Sequence, residues 1–211
     1  MKISLAELHR MCTAAASAAG ASRLVARSLA DATVDAEACG QKAVGVAHFF
    51  DYLDAFRAGR IDPVAMPVLT RIKPAIFHSD AKGGIAQLGF DRAFNRFAAA
   101  ATKHGLALFT QTNAWTCGAL GYHAERLARQ GLVALAATNA SAMIAGGGAI
   151  RPIYGTNPMA FAAPVAGRSP LLVDQSSSAT AFVNVRAARE RGSAIPDGWA
   201  IDRDGNPTND P

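Results

Sequence analysis

The chain has 211 residues, half of them hydrophobic and 7% aromatic, with a formal net charge of +5. That is enough apolar material for one substantial core, filled mainly by Ala, Leu, Val and Ile, with room for a smaller lobe. No apolar run is long enough to span a bilayer, and the dispersed Lys and Arg residues do not interleave with aromatics as a nucleic-acid face requires.

The N-terminus, MKISLAELHR, carries one lysine and then an amphipathic pattern with charges, so it is not a secretory signal and a cytoplasmic protein is expected. Ser4-Leu5-Ala6-Glu7 reads as a capping box opening a helix that stops at Gly20. Ser22 caps a second helix, with Val25, Leu29, Ala32 and Ala36 on one face and Gly40 as its break. A third runs from about Val44 to Ala58, with Phe49, Tyr52, Leu53 and Phe56 as its apolar face. Arg60 to Pro67 is a connector. Val68–Ile72 and Ala75–His78 predict two short strands, followed by a turn at Asp80-Ala81-Lys82-Gly83-Gly84. A helix bearing Phe90, Phe94, Phe97 and Ala101 ends at His104-Gly105. Then come a buried strand (Leu106–Thr110), a helix (Ala119–Gln130) and a second buried strand (Leu132–Thr138). Continuous apolar strands in a strand–helix–strand unit predict parallel pairing. Met159–Ala163 and Leu171–Val173 are two more strands, and from Arg186 onward the chain is polar, basic and expected to bury little.

Between these strands lies Thr138 to Pro158, TNASAMIAGGGAIRPIYGTNP, in which an apolar run breaks into three glycines and then Gly155-Thr156-Asn157-Pro158. Such a stretch is either a loop whose backbone must approach a ligand or a surface loop between strands, and spacing does not choose. Three widely spaced cysteines (Cys12, Cys39, Cys117) give no disulfide framework, and no His/Cys/Asp/Glu group has metal-ligand spacing. The dinucleotide fingerprint G-x-G-x-x-G is absent after any strand, as are the P-loop and G-x-S-x-G motifs. The residues alone lead to an α/β protein with a ligand loop at strand ends.

Four segments carry a resemblance: AEACGQKAVGVAHFFDYLDAFRAGRIDP, TCGALGYHAERLARQGLVALAATNA, PIYGTNPMAFAAP and LLVDQSSSA. They resemble the malate/L-lactate dehydrogenase-like oxidoreductases, which bind NAD(P) on a non-Rossmann fold. The resemblance implies a mixed, largely parallel sheet with flanking helices plus an N-terminal helical lobe. The expected divisions are a lobe at 1–75 with substrate-side residues, a cofactor-binding α/β domain at 76–185, and the start of a further segment at 186–211. By the same resemblance the nicotinamide cofactor, NADPH or NADH, meets the loop Thr116-Cys117-Gly118-Ala119-Leu120 and the strand end Asp174-Gln175-Ser176. The loop opens a helix whose first amides suit a phosphate. Thr156 matches a substrate-contacting threonine, and no metal is implied. Read without the resemblance, each is a helix cap or a strand-end turn residue. The relatives are typically homodimers and continue well past residue 211, so a dimer is expected, and a site that another stretch of polypeptide completes.

The departures are informative. Relatives carry Ser-His-Gly-Val, with the presumed proton donor, where this chain has Ala43-Val44-Gly45-Val46. They carry an arginine, the presumed carboxylate clamp, where this chain has His48. A histidine of the cofactor loop is here Thr116, and an Arg-Gly pair is here Phe182-Val183. Reducing a keto acid generates an alkoxide, so a positioned acid is worth roughly 10²–10⁴-fold. A cyclic imine already protonated on nitrogen needs no such acid. The expected activity is therefore reduction of a cyclic imino acid of the Δ1-pyrroline-2-carboxylate type to L-proline. The alternatives are a 2-hydroxyacid dehydrogenase and a catalytically silent binding protein. His48 is the candidate for both catalysis and substrate binding, as a cation lacking arginine's fork or as an acid. Lys42 is the other nearby cation.

Overall fold

The computed structural model describes residues 3–211. The helices begin where short hydroxyl side chains can take free amides. Ser4 Oγ accepts the Glu7 amide at 3.1 Å to open α1 (Leu5–Ala18), and Ser22 Oγ accepts that of Val25 to open α2 (Arg23–Ala38). A 3₁₀ turn at Lys42–Val44 leads into α3 (Val46–Arg57), whose N-cap is Gly45 and has no side chain to offer. Glu37 of α2 supplies the missing acceptor, taking the Val46 amide on Oε1 at 2.8 Å. A Cβ at position 45 would collide with that carboxylate, so the glycine admits the cap. Val25, Leu29, Phe49, Leu53, Phe56 and Ile61 form the first core, together with Ile85 and Leu88.

Two small sheets follow. In the first, β1 (Val68–Lys73) runs antiparallel to β2 (Ile76–Asp80), which pairs in parallel with β3 (Leu108–Thr112). The crossover from β2 to β3 is α4 (Ala86–His104), ended by Gly105 in the left-handed conformation at φ +78°. In the second sheet β4 (Ala134–Ala137), β7 (Met159–Ala163) and β8 (Leu171–Gln175) lie in the order β4-β7-β8, antiparallel throughout. Helix α5 (Leu120–Ala128) joins β3 to β4 and packs on that sheet. The second core contains Phe90, Leu120, Ala124, Leu127, Ala134, Ala160 and Ala162. Asp91 of α4 ties the layers, accepting from Ser28 of α2 and Arg126 of α5.

The mixed α/β class with flanking helices and a helical N-terminal region is therefore seen, with one correction. β3 and β4 do not pair, because α5 carries the chain from one sheet to the other, and β2/β3 is the one parallel pair among the described residues. The apolar runs misled because continuous hydrophobicity implies burial on both faces. Here Leu135 is 69% exposed and Leu171 54%, and Val173 is exposed with them on the side of the sheet away from α5.

The triple glycine, Gly146–Gly148, lies in the loop of a hairpin, β5 (Ile144–Ala145) with β6 (Pro152–Tyr154), and nothing approaches Gly147 or Gly148. The polar segment expected from Arg186 begins inside a helix, α6 (Phe182–Arg191), and a ribbon of β9 (Ala200–Ile201) and β10 (Pro207–Thr208) follows. No helix among the described residues is long and apolar enough to cross a membrane.

Candidate active site

Helix α3 buries Phe49, Tyr52, Leu53 and Phe56 and leaves His48 half-buried on the flank. His48 Nδ1 lies 2.9 Å from Asp51 one turn on, and its ring sits edge-on to Tyr52 at 5.0 Å. Tyr52 turns its hydroxyl the other way, donating to the Thr116 carbonyl at 2.6 Å and accepting from Gln87 Nε2 at 3.0 Å. Burial raises the Tyr52 phenol above its ordinary range, so it stays protonated and committed to Thr116. His48 and Thr116, far apart in sequence, thus both meet Tyr52.

The loop Thr116 to Leu120 is held from beneath. Thr116 is exposed, and Gly118 takes φ +67° with a missing Cβ that would stand 3.4 Å from Gln87 Nε2. Burial pushes the Cys117 thiol up to about 11, so it stays protonated near neutral pH. Ala119 is the N-cap of α5 and Leu120 its first residue, both buried in the cores below. One amide expected to face a phosphate is already occupied, because Gly121 N donates to Asp174 Oδ2 at 2.7 Å. A carboxylate at a helix N-terminus is favoured by the helix dipole as an anion would be. Gln41, before the 3₁₀ turn, reaches the same Asp174 oxygen at 3.3 Å.

Asp174 is the penultimate residue of β8 and is followed by Gln175 and Ser176, whose side chains are exposed; Ser176 Oγ pairs with Ser178 Oγ at 2.9 Å. The Gly155-Thr156-Asn157-Pro158 element is pinned to both neighbours. A Cβ on Gly155 would strike the Ala140 carbonyl, Asn157 Oδ1 accepts the Ala140 amide at 3.0 Å, and the Thr156 carbonyl accepts the Ser177 amide at 2.8 Å. The close backbone contact in this stretch is made at Gly155, against the Ala140 carbonyl, and not at the triple glycine. Thr156 and Asp174–Ser178 come together, as do His48 and Thr116, whereas His48 and Thr156 share no hydrogen bond.

Helix α6 then brings in Arg186, whose Nη2 lies 3.1 Å from both oxygens of Asp51. Partial burial works to raise the Asp51 pKa, but the hydrogen bonds from Arg186 and His48 outweigh it and hold the carboxyl below its usual range. Asp51, Tyr52 as a hydrogen-bonding residue, Gln41, Gln87 and Arg186 were not legible as site residues. Only Asp51 had a local signal, its three-residue spacing from His48 on a helix. One group of metal-capable side chains is gathered elsewhere, Asp35, Cys39 and Glu125, with ligand atoms within 4.8 Å of one another. Its Glu125 is taken by Arg129 at 2.9 Å.

Comparison with known proteins identifies the family. The profile of the malate/L-lactate dehydrogenase family matches residues 3–211. The chain is 38% identical over 209 residues to a (2R)-3-sulfolactate dehydrogenase (NADP(+)) of Chromohalobacter salexigens, covering 99% of this chain and 62% of that protein. It is 34% identical over 211 residues to a Δ1-pyrroline-2-carboxylate/Δ1-piperideine-2-carboxylate reductase of Pseudomonas putida, covering 100% of this chain and 62% of that one. The crystal structure of Δ1-piperideine-2-carboxylate reductase from Pseudomonas syringae superposes with a TM-score of 0.94 at 32% identity, over 100% of this chain and 63% of that one. The chain thus spans less than two thirds of the length of these relatives. By profile, sequence and fold, it belongs to the malate/L-lactate dehydrogenase family.

Proposed function

We propose that this chain serves the NAD(P)H-dependent reduction of a cyclic imino acid of the Δ1-pyrroline-2-carboxylate type, giving L-proline, and that it works as a homodimer. The lobe at 1–75 would carry the substrate side, residues 76–185 the cofactor side, and 186–211 the start of a further segment. The residues present fit a nicotinamide cofactor. Exposed Thr116 and Ser176 offer hydroxyls, and Gly118 takes a φ of +67° that side-chain-bearing residues rarely adopt. Thr116, Cys117, Gly118, Ala119 and Leu120 would form one wall, and Asp174, Gln175 and Ser176 the other. A bound nicotinamide supplies hydride.

The observation that carries the reading is the poverty of proton donors on α3. Val44, in the 3₁₀ turn just before α3, is apolar, and on α3 itself the Tyr52 hydroxyl is spent on the Thr116 carbonyl. His48 is the remaining proton carrier on that face, and Asp51 holds its Nδ1. An imine that arrives protonated on nitrogen accepts hydride and leaves as a neutral amine, so the side chains need only orient it, bind its carboxylate and exclude water. Thr156 would contact the substrate from the opposite side, and His48 would face its carboxylate.

A second reading is reduction of a 2-keto acid carrying another anionic group, favoured by the two cation-capable side chains, His48 and Arg186, that converge on Asp51. Oxidation of NADPH and of NADH, measured with Δ1-pyrroline-2-carboxylate, pyruvate, oxaloacetate and 3-sulfopyruvate, separates the two. Fastest turnover of the imine is expected, and faster turnover of any keto acid overturns the choice. A folded chain that binds nucleotide but transfers no hydride would instead be a binding protein.

A further inference from the structure

We propose that Arg186 of α6 is the guanidinium that recognises the substrate carboxylate, with Asp51 as the brace that aims both it and His48. The inference rests on the reading of this cleft as the substrate site, and it assigns a specificity role to a residue on a different element from α3. Asp51 takes Nη2 of Arg186 and Nδ1 of His48, and Arg186 Nε and Nη1 and His48 Nε2 have no hydrogen-bond partner among the described residues. A carboxylate needs two parallel N–H donors for a strong, oriented contact. A guanidinium presents that fork, here from the second Nη2 hydrogen together with Nε–H or Nη1–H, and an imidazole does not.

The pair is a poor device for stability. Arg186 and Asp51 keep 43% and 31% of their side-chain surface in solvent, and ion pairs so exposed contribute little to folding. Its geometry does something else. The chain reaches α6 directly from Asp174–Ser178, so Arg186 ties the candidate cofactor wall to the substrate face of α3. His48 packs on Tyr52, and Tyr52 holds Thr116. A carboxylate bound by Arg186 beside His48 would therefore lie next to both walls.

The test is steady-state kinetics of the 211-residue chain with Arg186→Ala, Arg186→Lys and Asp51→Asn, using whichever of the imine and keto acids the parent turns over fastest. Arg186→Ala should raise the substrate KM at least about tenfold, the scale of a lost charge-assisted hydrogen bond. Nucleotide affinity should stay within about twofold and kcat should change less than KM. Arg186→Lys should recover only part of the loss, and Asp51→Asn should raise KM less than Arg186→Ala. An unchanged KM in Arg186→Ala, or equal losses in nucleotide and substrate binding, overturns the assignment. A parent that prefers keto acids defeats the imine reading while leaving this measurement intact. A parent without turnover is titrated calorimetrically with L-proline and L-lactate in the presence of nucleotide. Loss of binding in Arg186→Ala supports the assignment, and unaltered binding, or none in the parent, overturns it.

Discussion

The hydroxyl of Tyr52 donates to the carbonyl of Thr116 at 2.6 Å, across 64 positions of sequence. This bond fixes the candidate cofactor loop to the helix that carries His48. Tyr52→Phe keeps the ring and the His48 contact but leaves the Thr116 carbonyl and the buried Gln87 amide without their partner. The expected cost is about 1–3 kcal/mol, seen as a lower urea midpoint with an unchanged slope. Nucleotide binding should weaken more than substrate binding. A variant with native stability would show that water replaces the hydroxyl and that the loop is held by other means.

His123 should make the fold acid-sensitive. It is buried against Phe90 at 4.8 Å and Tyr122 at 5.3 Å, and its ring nitrogens make no well-formed hydrogen bond, the Cys117 backbone offering only a weak contact. Burial lowers its pKa from 6.5 to about 4. Above pH 6.5 the ring is neutral in both states and its burial costs nothing extra. Between pH 6.5 and about 4 the unfolded chain binds a proton that the folded chain refuses, so stability falls as pH falls, by on the order of 3 kcal/mol in all. Urea unfolding at pH 7.5 and pH 4.5 should show the loss, and His123→Phe should flatten it.

Gly121→Ala sets two effects against each other. Alanine in a helix gains up to about 1 kcal/mol over glycine. A Cβ here would stand 2.9 Å from Asp174 Oδ2 and displace the carboxylate from the Gly121 amide, a charged hydrogen bond worth about 1.5–3 kcal/mol. The clash wins, so thermal denaturation should show a net destabilisation. A higher melting temperature would mean that Asp174 moves aside without loss.

Thiol chemistry should sort the three cysteines. Cys39 is exposed and its thiol is raised by partial burial and nearby carboxylates, whereas burial pushes Cys12 and the half-buried Cys117 up to about 11. Iodoacetamide at pH 8 should modify Cys39 first, with the other two reacting only as the chain opens. Peptide mass mapping over time reads the order, and rapid labelling of Cys117 would assign it a reactive microenvironment after all.

Local chemistry was legible and long-range chemistry was not. Ser4, Ser22 and Gly105 mark helix ends because a cap is decided within three or four residues, and Met159–Ala163 was bounded correctly because polar turn residues flank it. The pairing of strands depends instead on where α5 delivers the chain, and apolar runs facing an uncovered side look the same as runs buried on both. The core of the candidate site is made of such distant meetings: Asp51 with Arg186 across 135 positions, Gln41 with Asp174 across 133. Helix α6 escaped notice because it buries only Ala188 and has almost no apolar stripe to announce it.

The open side of the second sheet has a practical corollary. Leu135, Leu171 and Val173 offer water a greasy ledge three strands wide. Patches of that kind take up fluorescent dyes such as ANS and clump as concentration rises. Handled as an isolated polypeptide, the chain should brighten the dye while fully folded, and sediment faster the more concentrated it is.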